Sequence, residues 1–262
     1  MAISKNGQPI LTLEDWQQYA GPKRDFQWQD HKSAKEAARC WLGVTSPALP
    51  AELEAMLASH AAFGPVLEWR AEPEVRLPFD DFAGEPRNTD LLLYARDRHG
   101  DYLIAVEAKV DESFGATIAN TIAAAKNRKE TNPRSNGVPR VDGLLEGILG
   151  PQAVVDPGVQ DFRYQLLTAA AGAVNAGRGA KVERVILLVQ EFATKTTTPT
   201  KQAANAKDLE RFVARLSNRT VGPAQSGELY GPFYVPGAPL FPAPIPALYV
   251  GKIVCDVRGS DD

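Results

Sequence analysis

The spacing of hydrophobic positions along the chain alternates between the period of a helix and that of a strand. Residues 31–43 and 49–64 carry apolar residues at helical spacing, which predicts two amphipathic helices. Ser33 is a suitable N-cap for the first of them and Gly43 a suitable stop. A shorter helix is predicted over residues 12–20. The first quarter of the chain is therefore expected to be largely helical.

The next part of the chain has the alternation of strands. Residues 65–79 resemble a strand, but Pro73 predicts an edge position or a bulge there. Two further strands are predicted at 89–95 and 102–110, and the polar residues 96–101 between them have the composition of a turn. Three consecutive strands therefore follow the first helices.

The rest of the chain, from residue 113 onward, contains both helices and strands. The predicted elements are a helix at 113–129, a mobile loop at 130–140, a short helix at 141–150, a helix at 161–177, a buried strand at 181–192, a polar loop running into a helix at 194–217, a proline-rich extended segment at 222–246 and a last strand at 247–257. The order helix, three strands, helix, strand predicts an α/β fold with a mixed central sheet flanked by helices. No change in composition marks a domain boundary, so we expect a single domain over 1–262. Its core is expected at about 31–192, and the last helix, proline-rich wrap and final strand at 193–262.

Amino-acid composition and net charge indicate what kind of protein this is. The chain has 262 residues, 44% hydrophobic and 23% charged, which is ordinary for a globular protein. Its net charge is -3, so binding to a polyanion has to depend on a local basic patch rather than on bulk charge. Cys40 and Cys255 lie far apart in sequence in apolar surroundings, which favours free buried thiols in a reducing compartment. Neither a signal peptide nor a membrane-spanning stretch is evident, and we expect a cytoplasmic protein that does not enter a membrane.

Candidate chemistry lies on the two central strands. Because side chains alternate along a strand, Glu107 and Lys109 share one face. Asp90 lies on the same face in any hairpin register whose opposed residue numbers have an odd sum. A sum of 197 opposes Asp90 to Glu107, about 5 Å apart at Cβ, and leaves Arg98 and His99 in the turn.

Two carboxylates at that separation repel each other unless a cation lies between them. A hard divalent ion such as Mg²⁺ takes carboxylate oxygens, waters and substrate phosphate as ligands. Lys109 would then lie beside the metal, where it could stabilise developing negative charge or orient a water. The alternative, equally compatible with the spacing, is a structural ion pair between Glu107 and Lys109 with Asp90 capping a turn.

The strand that begins Thr89-Asp90 and the apolar strand that ends "EAK" resemble the PD-(D/E)XK, or restriction-endonuclease-like, nuclease superfamily. The resemblance covers about residues 31–192 and the same order of elements. The chain is also similar to a family of uncharacterised bacterial proteins with this core, through segments at 33–41, 88–90, 106–115 and 163–167. One departure is Thr89, where the superfamily commonly has proline.

The resemblance implies roles for several residues. Asp90 and Glu107 would bind Mg²⁺ or Mn²⁺, and Lys109 would be the catalytic lysine. Glu36 would be an extra carboxylate near the metal, although it lies opposite the apolar face of its helix and fits a solvated surface position equally well. Gln165 would face the site or the phosphate backbone.

Basic residues suggest where a nucleic acid could bind. The resemblance implies that Arg163 faces the site or the phosphate backbone, although a helix cap or an ion pair explains it as well. Lys126, Arg128 and Lys129 begin a basic segment that continues through Arg134 and Arg140 and could clamp phosphates. A solvated loop is the alternative.

Two functions follow as expectations. The first is a metal-dependent endonuclease that hydrolyses phosphodiester bonds, with DNA as the expected substrate. The second is a catalytically inactive module of the same fold that binds a protein or nucleic-acid partner. Many nucleases of the superfamily act as dimers, so the resemblance also allows a homodimer.

Overall fold

A computed structural model describes residues 2–22, 24–82, 86–218 and 224–258. The strands are β1 (Ala2–Lys5), β2 (Gln8–Pro9), β3 (Glu68–Leu77), β4 (Arg87–Asp97), β5 (Gly100–Lys109), β6 (Arg184–Ala193), β7 (Glu228–Phe233) and β8 (Ala247–Asp256). The α-helices are α1 (Leu13–Ala20), α2 (Ser33–Leu42), α3 (Ala51–Ala58), α4 (Ile118–Thr131), α5 (Gly137–Leu149), α6 (Tyr164–Ala180) and α7 (Pro199–Ser217).

One mixed sheet contains all eight of these strands, in the order β2-β1-β3-β4-β5-β6-β8-β7. Strands β3, β4 and β5 form an antiparallel meander, and β5, β6 and β8 are parallel. The connection from β5 to β6 contains α4, α5 and α6, as a parallel pair requires a crossover. The predicted α/β class and mixed sheet flanked by helices are therefore confirmed.

The register of the central hairpin is the one expected from the sequence. Leu92 is opposite Ala105, so the numbers of paired residues sum to 197, and Asp97 pairs with Gly100. Arg98 and His99 form the turn between the strands. The predicted turn is confirmed, and the predicted register is confirmed as far as the last pair of the ladder, Leu91 with Val106.

Helices cover both faces of the sheet. Apolar residues of α1, α2 and α3 pack on one face, against side chains such as Ile104 and Ile186. Apolar residues of α5 and α6 pack on the other, against Leu103 and Leu187. Because β5 and β6 are covered on both faces, their sequences are nearly continuous apolar runs.

Several local predictions need correction. The loop expected at 130–140 is short, because α4 continues to Thr131 and α5 begins at Gly137. The proline-rich segment expected at 222–246 is not entirely irregular, since it contains the edge strand β7, which pairs with β8. Residues 219–223, which include the start of this segment, lie outside the described residues.

Pro73 occupies a position where proline is tolerated. β1 pairs with β3 only at Arg70 and Ala71, so beyond them the outer side of β3 has no strand neighbour in the described part of the chain. There the Lys5 ammonium donates hydrogen bonds to the carbonyls of Pro73 and Glu74, at 2.8 and 2.9 Å. Glu74 has a φ of 50°, so β3 is irregular next to the proline, as the sequence suggests.

The two cysteines are free and close in space. Their sulfur atoms lie 3.9 Å apart, and the Gln190 side chain donates a hydrogen bond to each. Cys255 is buried and Cys40 is half-buried. Separately, no helix among the described residues is long and apolar enough to cross a membrane.

Close packing of α6 on the sheet gives a test of the fold. A Cβ added at Gly177 would overlap the Val185 side chain on β6, whereas one added at Gly179 would meet nothing within 4 Å. We expect Gly177→Ala to lower the free energy of unfolding by about 1–3 kcal/mol. The control Gly179→Ala should be neutral or stabilising by about 0.5–1 kcal/mol, because alanine favours the helix. Urea denaturation measures both, and equal effects would contradict this packing.

Candidate active site

The hydrogen-bond ladder between β4 and β5 stops just before it reaches Asp90 and Glu107. Its last pair is Leu91 with Val106, and side chains then replace the main chain. The Thr89 hydroxyl donates to the Val106 carbonyl at 2.8 Å, and the Ala108 amide donates to the Asp90 carboxylate at 2.6 Å. Asp90 is therefore fixed against the main chain of β5, and the expected direct pairing of Asp90 with Glu107 is not part of the ladder.

Glu107 and Lys109 are buried together on β5, with 3% and 6% of their surface exposed. The Lys109 ammonium donates to Glu107 Oε1 at 2.7 Å and to the Gln165 side-chain carbonyl at 3.2 Å. The Gln165 amide also donates to Glu107 Oε1. The structure therefore brings together three of the residues selected from the sequence, and α6 supplies Gln165 from its first turn.

Arg87 is a fourth member of this cluster that the sequence analysis missed. It is the first residue of β4, and its guanidinium forms an ion pair with Glu107 Oε2. Both oxygens of the Glu107 carboxylate therefore have cationic or amide partners. The only sequence signal was its position three residues before Asp90.

Burial shapes the electrostatics of the cluster. Burial lowers the pKa of Lys109, and the charges of Asp90 and Glu112 oppose that change. Burial raises the pKa of Asp90, and the Lys109 ammonium and the Ala108 amide oppose it. Asp90 and Lys109 therefore interact electrostatically, and each group is held where its charged form is poorly solvated.

Two further acids lie near Asp90 and have different environments. The Glu112 carboxylate accepts hydrogen bonds from the amides of Val110 and Asp111, at 2.8 and 3.1 Å, and from the Ser33 hydroxyl at 3.2 Å. It closes the turn after β5 and ties that turn to α2. Burial, and then the charge of Asp90, raise the pKa of Glu74 on β3 to about 7.

The structure does not place Glu36 in the hydrogen-bonded cluster. It lies on α2, which packs on the sheet face opposite to α6, and only 2% of its surface is exposed. Its carboxylate accepts hydrogen bonds from the His31 amide at 2.7 Å and from the Arg39 guanidinium at 3.0 Å. The solvated surface position considered for Glu36 is therefore wrong, and its observed partners are structural.

The predicted phosphate-binding residues also lie apart from the cluster. Arg163 forms an ion pair with Asp208 at 2.7 Å and donates to the Gly115 carbonyl at 2.8 Å, so it joins the start of α6 to α7. Arg163 therefore forms an ion pair, which is one of the two alternatives to a role in the site that its sequence position allowed. Lys126, Arg128 and Lys129 are exposed near the end of α4, where a polyanion could reach them.

Comparison with known protein families gives one match. The model of a domain of unknown function, DUF6946, matches residues 9–245, which include every residue of the cluster. The chain belongs to the DUF6946 family. No curated protein and no solved structure matches it.

The DUF6946 site offers hard oxygen donors for a cation. Asp90 and Glu107 are carboxylates, the donor type that Mg²⁺ and Mn²⁺ take, and Mg²⁺ commonly uses only one or two of them with waters and phosphate. In the described ranges no group of three or more His, Cys, Asp or Glu side chains is arranged around a common metal position. A cation held by Asp90 and Glu107 would therefore need water and substrate to complete its coordination.

The raised pKa of Glu74 predicts a pH-dependent stability. The ordinary pKa of this carboxyl is 4.5 and its pKa in the folded protein is about 7. Between these two pH values the unfolded chain releases a proton that the folded chain keeps. Stability from this group is therefore present below pH 4.5 and is lost as pH rises to about 7. We expect Glu74→Gln to raise the free energy of unfolding by about 1–3 kcal/mol at pH 8 and by little at pH 5.

The control for this variant is Glu72→Gln on the same strand. Glu72 forms an ion pair with Lys5 at 3.2 Å, so its removal should not stabilise the protein at pH 8. Urea denaturation at the two pH values measures the difference. A Glu74→Gln effect that is the same at pH 5 and pH 8 would show that this carboxyl is not held protonated by its surroundings.

Proposed function

We propose that this chain is a divalent-metal-dependent phosphodiesterase that cleaves DNA. The observation that carries the proposal is the cluster of Glu107, Lys109 and Gln165, with the Asp90 carboxylate interacting electrostatically with Lys109, at the point where β4 and β5 stop pairing. The order of elements around it, one helix layer, the β3–β5 meander, α6 and β6, agrees with the restriction-endonuclease-like core that the sequence resembles. Both arguments lead to the same three charged residues.

Asp90 and Glu107 are the residues that would hold Mg²⁺ or Mn²⁺. A bound divalent ion supplies Lewis-acid stabilisation and lowers the pKa of a coordinated water. Asp90 is positioned for this by the Ala108 amide, which fixes one of its oxygens and leaves the carboxylate against β5. Glu107 is oriented by Lys109 and Gln165, which both contact Oε1.

Lys109 is the residue that would stabilise negative charge on the phosphate. Its ammonium is almost fully buried, so a charge interaction there is weakly screened by water. Glu107 and Gln165 hold the ammonium in place through two hydrogen bonds. A preorganised cation of this kind needs no rearrangement when charge develops on the substrate.

The ion pair between Arg87 and Glu107 supports a second candidate function. A glutamate neutralised by Arg87 and Lys109 is a satisfied charge network without any metal. In that case the chain is a non-enzymatic module that binds a protein or a nucleic acid. Calorimetry discriminates the two functions, because the module should bind neither Mg²⁺ nor Mn²⁺ at millimolar concentration.

Cleavage of DNA tests the proposed reaction. We expect the purified protein to cleave plasmid DNA with Mg²⁺, and Lys109→Ala to lower the rate about 100-fold or more, because one preorganised charge at the reacting phosphate is lost. Asp90→Asn should have a similar effect. The control is Lys207→Ala, which removes an exposed lysine of α7. Equal rates for wild-type protein and Lys109→Ala on a gel would contradict the proposal.

Salt dependence tests the proposed contribution of α4 to DNA binding. Each phosphate contact that is lost lowers the slope of log affinity against log salt by about 0.9. We expect the combined change of Lys126, Arg128 and Lys129 to glutamine to lower that slope by up to about 3. Fluorescence anisotropy with a labelled duplex at several salt concentrations measures it.

The matched control for the α4 variant is Lys207→Gln with Arg211→Gln, two exposed cations of α7. Their removal should leave the slope nearly unchanged. If the α4 variant has the wild-type slope, these three residues are a solvated surface, which is the alternative that their sequence allows.

A further inference from the structure

Arg87 occupies the oxygen of Glu107 that Lys109 and Gln165 do not contact. Lys109 and Gln165 both contact Oε1, and Arg87 pairs with Oε2. The Arg87 side chain is only 11% exposed, so this ion pair is shielded from solvent. A divalent cation and a guanidinium repel each other strongly at such short range, and they cannot share Oε2.

The Arg87 guanidinium also has an unused donor. Its Nε is buried and has no hydrogen-bond partner among the described residues. A buried donor without an acceptor costs free energy, so the pairing with Glu107 leaves Arg87 incompletely satisfied. The planar guanidinium matches the spacing of two phosphate oxygens and can donate to both.

We propose that Glu107 Oε2 binds Arg87 and a divalent cation in alternation, and that the released Arg87 guanidinium binds a phosphate oxygen of the substrate. This inference rests on the proposed phosphodiesterase function. It makes Arg87 both a competitor of the metal and a substrate-binding residue. Metal-free protein then keeps Glu107 neutralised, and metal binding makes Arg87 available for DNA.

Calorimetry of Mn²⁺ binding to the full chain tests the competition. Arg87→Gln removes the competing charge, and we expect it to tighten the Mn²⁺ dissociation constant about tenfold, or about 1.4 kcal/mol. The matched control is Arg76→Gln, an exposed arginine of β3 opposite Asn88, which should change the constant less than about twofold because exposed charges are screened. Structural damage would weaken metal binding, so tightening distinguishes competition from misfolding.

Arg87→Lys keeps the positive charge but lacks the planar guanidinium that can donate to two oxygens. This variant also covers the case in which Arg87→Gln does not fold. Lysine makes a point contact with Glu107, so we expect a Mn²⁺ dissociation constant between those of wild-type protein and Arg87→Gln. If the variants that fold bind Mn²⁺ as wild-type protein does, or more weakly, the competition is overturned.

Steady-state cleavage at saturating Mn²⁺ tests the phosphate contact. We expect Arg87→Gln to raise KM for a short duplex about tenfold or more, and Arg87→Lys to restore part of the loss. An unchanged KM would overturn the phosphate role. Absence of Mn²⁺ binding in wild-type protein and all variants would overturn the proposed function itself, whereas equal Mn²⁺ binding by wild-type protein and Arg87→Gln overturns only the inference.

Discussion

Two opposite charges buried side by side on a central strand constrain the rest of this structure. Glu107 and Lys109 lie on β5, which has neighbours on both edges and helices on both faces. Charges in such a position are tolerated only when each is paired and hydrogen-bonded. Arg87 on β4 and Gln165 on α6 supply these partners to Glu107. The cluster is therefore assembled by three separate elements.

A second buried ion pair in the protein shows what a purely structural pair looks like. Arg184 on β6 donates to both oxygens of Asp97 at 2.8 and 2.9 Å, and also to the carbonyls of Ala62 and Gly100. That guanidinium makes several hydrogen bonds. Arg87, in contrast, has a buried Nε without a partner in the described part of the chain. This difference, rather than burial of charge as such, is why we assign a changing partner to Arg87.

Much of the fold follows from local patterns in the sequence. The turn at Arg98 and His99 fixes the hairpin register, because Asp97 and Gly100 on either side of it form the first pair of the ladder. The alternation of side chains along β5 places Glu107 and Lys109 on one face. The edge strand β7 was missed because its proline-rich sequence lacks the pattern of a strand. The start of α5 was missed because Gly137 and Pro139 are typical of loops, although proline fits the first turn of a helix.

The composition of the site depended on the tertiary structure. The sequence alone determined the register of the hairpin and the shared face of Glu107 and Lys109, since both depend on spacing within some twenty residues. The packing of strands and helices decided three further features. These are the ion pair of Arg87 with Glu107, the position of Glu74 beside Asp90, and the buried partners of Glu36. The physical reason is that a side chain's solvation and charge partners come from residues distant in sequence, and no local period reports on them.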